Sequence, residues 1–366
     1  MVWNWQQKAW PNFCYEAQKL TALENRFLLE GGKLVGALPH LSDNNQFELL
    51  IAFIEEEALK SSKIEGEILD LHSLRVSLQK NFGLETDGRH IPAREKGIAC
   101  MMVDTYQSFE QTLSHEMIWD WHKNLMLGNR RIDDVGCYRT HADAMIIGSH
   151  NFNDTSIYFE APPSSMVAKE MDAFVDWFNG SAPDGHSPLP ALTRAGLAHL
   201  YFVSVHPFED GNGRIGRALS EKILSQHLGT ASLIPISHVI EKYKKDYYAQ
   251  LETNNRDLSI DAWLDYFAHT ILESLDYAQQ LTTFVVNKSR LYARIKGVLN
   301  DRQHKVLDCM LKKGVEGWRG GLTSEKYCKI GKTTLPTAKR DIQKLLQLGV
   351  LTKTGQGKAT RYWLPF

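Results

Sequence analysis

Apolar residues recur every three to four positions along most of this chain, and that spacing is typical of amphipathic helices. One helix is predicted to begin near Asn45, after candidate caps at residues 42–44, and to end near Gly66. The predicted apolar side of this helix consists of Phe47, Leu50, Ile51, Ile54, Ala58 and Leu59.

The same periodicity predicts further helices over most of the remaining chain. Residues 155–160 have strand composition instead, and the two prolines that follow would end the strand. The pattern therefore predicts a mostly α protein with a short β-hairpin. The predicted helical segments are 69–127 with a polar break at 83–94, then 167–178, 190–205, 217–228, 240–255 and the region around 263–271.

Composition narrows the class of protein. A length of 366 residues allows two or three domains, and the chain contains no apolar run long enough to span a membrane. The first residues lack the basic start and apolar core of a signal peptide. The five cysteines show no C-x-x-C spacing, so we expect free thiols in a cytoplasmic protein.

The chain is nearly neutral, with a formal net charge of −1, but the charge is unevenly divided. Between Arg302 and Phe366, fourteen lysines and arginines outnumber four acidic residues. This split predicts a separate basic domain with its own partners.

The basic segment has the element order of a winged helix-turn-helix domain. Helices are predicted at 303–312, 323–330 and 333–348, followed by two strands within 349–364. If DNA is the partner, the third helix would be the recognition helix. Such domains also bind proteins or form homodimers, and both alternatives stay open. The candidate DNA contacts are Thr337, Lys339, Arg340, Lys344, Lys358 and Arg361.

The densest chemistry lies in residues 206–217, His-Pro-Phe-Glu-Asp-Gly-Asn-Gly-Arg-Ile-Gly-Arg. A histidine can act as a base near neutral pH, and the acidic pair Glu209 and Asp210 offers oxygen ligands for Mg²⁺. The glycines allow a sharp turn that directs backbone N–H groups at an anion, and Arg214 and Arg217 would share one helix face. The combination indicates phosphate chemistry.

Residues 211–216 also fit the G-x-G-x-x-G dinucleotide fingerprint, which requires a strand before it. The preceding segment, 190–205, has helical periodicity, so the glycines join two helices and the dinucleotide-binding alternative is rejected.

The twelve residues resemble the Fic signature, His-Pro-Phe-x-(Asp/Glu)-Gly-Asn-Gly-(Arg/Lys)-x-x-Arg, without a departure. The resemblance implies a helical domain that transfers AMP from ATP to a Tyr, Thr or Ser hydroxyl of a target protein. It implies that His206 is the general base and that Asp210 holds Mg²⁺. The implied ATP-binding residues are Asp210, Gly211, Asn212, Gly213, Arg214, Ile215, Gly216, Arg217, Tyr247, Tyr248 and Asn255.

A second motif precedes this core. Ser61-x-x-x-Glu65-Gly66 resembles the inhibitory motif (Ser/Thr)-x-x-x-Glu-(Gly/Asn) of class II Fic proteins. A glutamate can accept two parallel hydrogen bonds from a guanidinium, so Glu65 is expected to occupy Arg217 and keep it from the γ-phosphate of ATP. The resemblance therefore implies an autoinhibited enzyme.

The family also places a hairpin flap over the active site, where the target segment is thought to add as a strand. Gly136-x-Tyr-Arg139 resembles the approach to this flap, and Ile157, Tyr158 and Phe159 are its predicted residues. Without the resemblance, the segment would be interpreted as an ordinary surface hairpin.

Three domains are predicted: an N-terminal helical unit (1–95) with the inhibitory helix, a Fic core (96–285) and the winged-helix domain (286–366). Residues 1–40 are rich in aromatic side chains and resemble a small unit often found ahead of Fic cores, which we interpret as a structural cap. Two other functions stay open. The chain could remove AMP or use another phosphate donor, or it could be a DNA-binding regulator with a subordinate Fic core.

Overall fold

A computed structural model describes residues 2–84, 88, 90–151 and 154–366. The chain forms two compact units, one made of residues 1–40 and 50–278 and the other of residues 41–49 and 279–366. Among the described residues, no helix combines the length and the apolar character that crossing a membrane requires.

The first unit is helical, with one hairpin. Helix α2 starts in the second unit and α11 continues into it, so each helix belongs to both units. The elements are α1 (Ala17–Ala37), α2 (Asp43–Ile64), α3 (Leu71–Asn81), α4 (Ala93–Gln107), α5 (His115–Leu125), β1 (Ile146–Asn151), β2 (Asp154–Glu160), α6 (Ser164–Gly180), α7 (Ala191–Val205), α8 (Asn212–Leu228), α9 (Ile236–Lys242), α10 (Lys244–Asn254) and α11 (Asp261–Ile295).

Helices α7 and α8 form the centre of this unit. Nearly every residue of α7 is buried, including its polar ones. Burial of the Arg194 guanidinium is offset by hydrogen bonds from it to the Ser181 hydroxyl, the Phe178 carbonyl and the Gln226 side chain. The short connection between the two helices, residues 206–211, is therefore held at both ends by the core.

The predicted hairpin is present. Strands β1 and β2 pair antiparallel, with Ile146 opposite Glu160 and Ile147 opposite Phe159. The register shifts between Ile147 and Gly148, as in a β-bulge. The predicted side chains at 157–159 lie on β2, at the end that leads back into the core.

The second unit contains the elements predicted for the basic segment. They are α12 (Asp301–Leu311), α13 (Ser324–Gly331), α14 (Leu335–Gln347), β3 (Thr352–Thr354) and β4 (Arg361–Trp363). A nearly buried carboxylate, Asp341, accepts hydrogen bonds from Arg302, Gln303 and Tyr327 and so joins the three helices. The element order agrees with the prediction, and the winged-helix assignment itself stays a prediction.

The observed boundaries differ from the predicted ones in two places. The predicted helix 240–255 is divided into α9 and α10 at Tyr243, whose backbone leaves the helical region. Helix α11 is 35 residues long and runs past the predicted domain boundary at residue 286. The first compact unit groups residues 1–40 and 50–95 with the helices that follow, and the division into three domains stays a prediction.

Candidate active site

The imidazole of His206 is presented by an unusual backbone conformation. His206 caps the C-terminus of α7 with φ 49° and ψ 59°, the left-handed region. Residues other than glycine adopt this conformation rarely, and it concentrates at functional positions. The strained residue is also the one that the signature identifies as the base.

The hydrogen bonding of His206 favours the tautomer that a general base needs. Its Nδ1 lies 3.3 Å from the carbonyl oxygen of Val203, which can only accept a hydrogen bond. In the neutral ring the proton therefore resides on Nδ1, and Nε2 keeps its lone pair. Burial lowers the pKa of His206 to about 4, so the ring is neutral at pH 7.

Sequence reasoning assigned no role to the buried Arg139, which supports this histidine. Its Nε donates to the carbonyl oxygen of His206 at 2.8 Å, and its Nη1 donates to the hydroxyl of Ser164 at 2.9 Å. Its Nη2 donates to the carbonyl of Pro162, just beyond β2. One guanidinium thus connects the loop at residues 206–211 to the end of the hairpin. The resemblance of Gly136-x-Tyr-Arg139 to the family was the sequence signal that could have revealed this role.

The loop between α7 and α8 is held by Asn212. Its side-chain oxygen accepts from the backbone N–H of Phe208 at 3.0 Å, and its Nδ2 donates to the Phe208 carbonyl at 2.8 Å. Gly211 has φ 87°, and a Cβ there would lie 2.7 Å from Cε of Met126. The predicted phosphate loop is thus a rigid turn, and the Asn212 side chain shapes it from within.

Arg217 meets the inhibitory motif as predicted, but by a different set of bonds. Its Nη2 donates to Oε1 of Glu65 at 2.8 Å and to the Ser61 carbonyl at 3.0 Å, while Nε donates to the Ser61 hydroxyl at 2.9 Å. Glu65 therefore accepts one hydrogen bond from Arg217 instead of the expected two parallel ones, because Nε and Nη2 of the guanidinium also donate to Ser61. Arg217 is fully buried, and its Nη1 has no hydrogen-bond partner among the described residues.

The Glu65 carboxylate lies on the first turn of α8. A Cβ at Gly213 would overlap its Oε1, so a larger residue there would displace this carboxylate. Helix N-termini favour anions because their first backbone N–H groups are unpaired and the helix dipole is positive there. The glutamate thus occupies the place of an anion, and Gly66, with φ 84°, ends α2 immediately after it.

Sequence reasoning also missed a second carboxylate. Arg214 donates from Nη1 to Oε2 of Glu67 at 2.6 Å and from Nη2 to Oδ1 of Asp210 at 3.1 Å. The Arg214 side chain is almost fully buried. Both signature arginines therefore pair with glutamates that follow the inhibitory helix, two residues apart in sequence.

A buried acid of α2 binds α9, and a second buried acid lies on α8. Glu57, two turns before Glu65, accepts hydrogen bonds from the backbone N–H and the hydroxyl of Ser237. Glu221, one turn after Arg217, is also fully buried. Burial raises the pKa of both carboxyl groups. We conclude that α2 is anchored within the core, which fixes the position of its C-terminal motif.

The two acids of the signature have different surroundings. The Glu209 carboxylate accepts hydrogen bonds from the backbone N–H groups of Asp133 and Asp134 at 3.2 and 3.4 Å. The Asp210 side chain is 44% exposed. Within the described ranges there is no group of three or more His, Cys, Asp or Glu side chains that could hold a metal. Mg²⁺ needs only one or two carboxylates when phosphates supply further ligands, so Asp210 fits that mode.

The predicted adenine contacts are spread over two environments. Tyr247 is buried, with its hydroxyl 2.7 Å from Nε2 of His199, whereas Tyr248 is 42% exposed. Asn255 donates from Nδ2 to the carbonyl of Tyr158 on β2 at 3.1 Å. The structure brings Asn255 to the flap and places the Tyr247 ring inside the core.

The predicted flap side chains divide in the same way. Ile157 and Tyr158 are 44% and 37% exposed, whereas Phe159 is buried against Trp3. An exposed strand with an anchored end suits recognition of an extended segment.

Two family profiles match the chain. Residues 112–224 match the Fic/DOC family, and residues 3–84 match a domain of unknown function, DUF4172. The first match includes the flap, α7, the signature loop and most of α8.

Similar proteins carry adenylyltransferase names. Protein adenylyltransferase fic-1 of Caenorhabditis briggsae is 26% identical over 201 residues, covering 52% of this chain and 35% of that protein. Protein adenylyltransferase Fic of Nematostella vectensis is 31% identical over 116 residues, covering 31% of this chain and 25% of that protein. The chain thus spans about a third or less of these relatives' length.

Solved structures show the same fold. A Fic family protein from Desulfovibrio desulfuricans G20 has a TM-score of 0.53 at 20% identity, covering 94% of this chain and 96% of that chain. A Fic domain containing signaling protein from Bacteroides thetaiotaomicron has a TM-score of 0.53 at 21% identity, covering 71% of this chain and 97% of that chain.

Proposed function

Since the chain contains a Fic domain, we propose that it is a protein adenylyltransferase that transfers AMP from ATP to a hydroxyl of a target protein, and that Glu65 inhibits it. One observation carries the proposal. The Glu65 carboxylate lies on the first turn of α8 against the buried Arg217, as a phosphate group would.

The proposed reaction begins at His206. Nε2 accepts the proton of the target hydroxyl as its oxygen attacks the α-phosphorus of ATP. The new P–O bond forms while the bond from the α-phosphorus to the oxygen bridging to the β-phosphorus breaks, and pyrophosphate leaves. A neutral, oriented imidazole is the protein's contribution to this step.

The phosphates are placed by α8 and its arginines. The first backbone N–H groups of α8, at residues 212–214, are proposed to bind the phosphates, and Arg214 and Arg217 supply positive charge for the β- and γ-phosphates. Asp210 would hold Mg²⁺, which neutralises charge on the phosphates when it is bound. Catalysis of this kind depends on positioning and electrostatics.

Side chains near the loop and on the flap are the proposed contacts for ATP and for the target segment. Tyr248 and Asn255 are proposed to contact adenine, while Tyr247 supports them from the core. The target segment is proposed to add as a strand to the flap, beside Ile157 and Tyr158.

Glu67 is expected to add to the inhibition, because it pairs with Arg214 as Glu65 pairs with Arg217. Replacing Glu67 with glutamine removes the charge and keeps a hydrogen-bonding group. We expect the apparent affinity for ATP to rise about tenfold, on the order of one charge-assisted hydrogen bond. Calorimetric titration with ATP measures it.

The matched control for this variant is Glu56→Gln. Glu56 is on α2, the helix that precedes Glu67, and contacts His238 at 2.7 Å, away from the signature arginines. If the wild-type, Glu67→Gln and Glu56→Gln proteins bind ATP with equal affinity, an inhibitory role for Glu67 is ruled out.

The proposed function is tested by the position of a radioactive label in ATP. The Glu65→Gly protein is expected to become labelled from ATP that carries ³²P at the α-phosphate and not from ATP that carries it at the γ-phosphate. Transfer of the γ label would indicate phosphate transfer instead. An unlabelled protein that nevertheless releases AMP from a modified target would indicate hydrolytic removal of AMP instead of its transfer.

A second candidate function is DNA binding by the second unit, favoured by its positive charge. Lys339 and Arg340 are exposed on α14, and Lys358 is exposed between β3 and β4. A basic surface gives salt-sensitive affinity for any sequence, so a regulatory function requires a preferred site. Equal binding of all sequences in a gel-shift selection would reject that function.

A further inference from the structure

A short segment at residues 3–5 lies against the active-site framework. Trp3 is 4% exposed and Asn4 is fully buried, at the start of a single 3₁₀ turn, Asn4–Gln6. Complete burial of an asparagine requires partners for its amide group. The amide oxygen accepts from the backbone N–H of Trp5, and the amide NH₂ and the backbone N–H of Asn4 donate to two elements that border the active site.

Asn4 connects the end of α7 to the loop after α10. Its Nδ2 donates to the hydroxyl of Ser204 at 2.9 Å, two residues before His206. Its backbone N–H donates to the carbonyl of Asn255 at 2.9 Å. Because the Asn255 side chain donates to the carbonyl of Tyr158, Asn4 is linked to the flap through one residue.

The two tryptophans contact β2 directly. The Trp3 ring meets Phe159 edge to face, with centroids 5.4 Å apart, and the two are buried with Ala161. Nε1 of Trp5 donates to the carbonyl of Glu160 at 2.7 Å. An edge-to-face pair and a half-buried indole hydrogen bond each stabilise their contact beyond simple burial. Together they fix the end of β2 that approaches the catalytic loop.

We infer that residues 3–5 are a positioning element for the flap: they hold β2 in place relative to His206, so that the target hydroxyl reaches Nε2. This inference rests on the proposed function and extends it to the domain of unknown function at residues 3–84. The segment acts on the target side of the reaction, because its side chains contact β2 and α7, whereas the signature arginines contact α2 and the loop that follows it. Its bond to Asn255, a proposed adenine contact, is made by the backbone N–H of Asn4 and is kept in both variants below.

Two variants test the inference. Trp5→Phe removes the indole N–H and keeps an aromatic ring, and Asn4→Ala removes the amide that binds Ser204. The matched control is Trp10→Phe, which removes another indole donor of the N-terminal region. Nε1 of Trp10 donates to Glu170 of α6 at 2.8 Å, away from β2.

The first measurement is hydrogen–deuterium exchange of the whole protein. Trp5→Phe and Asn4→Ala are expected to speed exchange of the flap amides at 157–160 about tenfold, on the order of one lost buried hydrogen bond. Exchange in α8 should not change, and Trp10→Phe should leave the flap as it is. Unchanged flap exchange in both variants, or an equal rise in the control, would overturn the inference.

The second measurement is self-labelling with α-labelled ATP in the Glu65→Gly background. We expect Trp5→Phe and Asn4→Ala to lower the rate at saturating ATP about tenfold and to leave the KM for ATP unchanged. A higher KM with an unchanged maximal rate, or faster flap exchange with an unchanged rate, would contradict a target-side role. If the Glu65→Gly protein itself does not become labelled, the proposed function is wrong. The hydrogen–deuterium exchange measurement then still tests whether residues 3–5 stabilise the flap.

Discussion

Replacing Glu65 with glycine is expected to raise the rate of AMP transfer about 100-fold, the order of the penalty for misplacing a reacting atom by about 1 Å. The substitution removes the carboxylate that accepts the Nη2 bond of Arg217 and frees the first turn of α8. The guanidinium then becomes available to the γ-phosphate, and the α-phosphorus can take its position beside His206. Intact-mass spectrometry after incubation with ATP measures the transfer as an adenylate adduct.

The control for this gain is the double variant with His206→Ala, which should show no adduct. The substitution should leave the anchoring of α2 intact, because Glu57 remains buried with its bonds to Ser237. A Glu65→Gly protein that is as well folded as the wild-type protein but no more active would refute inhibition by this residue.

Replacing His206 in the Glu65→Gly protein is expected to lower transfer by about 10²–10⁴-fold, the usual contribution of a general base. ATP affinity should stay within about twofold, because the phosphates are held by α8 and its arginines. The rate is measured with α-labelled ATP and the affinity by calorimetry.

The left-handed backbone at His206 calls for two variants at this position. Alanine is strained there, whereas asparagine tolerates the conformation better, so His206→Asn separates loss of the base from loss of the loop. If His206→Asn folds, binds ATP and still transfers AMP at the reference rate, another group is the base.

Local sequence patterns were sufficient to predict the elements that carry the site. The helical spacing before residue 206 placed the signature between two helices, and the structure has α7 and α8 there. The motif at residues 61–66 predicted the meeting of Glu65 with Arg217, which are 152 positions apart. A motif encodes such a contact because its residue types and spacing are specific.

The contacts that were missed involve residues with no such signature. Glu67 reaches Arg214 across 147 positions and Asn4 reaches Ser204 across 200, and neither residue type differs from an ordinary surface residue in sequence. Arg139 belongs to the Gly136-x-Tyr-Arg139 motif that was recognised. Its role depends on a hydrogen bond to the carbonyl group of His206, and only the folded loop brings that carbonyl within reach. Tertiary packing, rather than local pattern, determines these positions.

Two helix boundaries were predicted wrongly for a similar reason. The break at Tyr243 follows no glycine or proline. Helix α11 continues through residue 286, and its later residues Leu291 and Ile295 are buried in the core of the second unit. Propensity describes a segment by itself, whereas these ends depend on the neighbouring elements.

The most direct test of the account is a crystal structure of the Glu65→Gly protein with ATP and Mg²⁺. We predict a triphosphate over residues 211–213, with the γ-phosphate bound to the Arg217 guanidinium and the α-phosphorus beside Nε2 of His206. A loop that stays without phosphate, although the carboxylate has been removed, would contradict the claim that Glu65 occupies a nucleotide site.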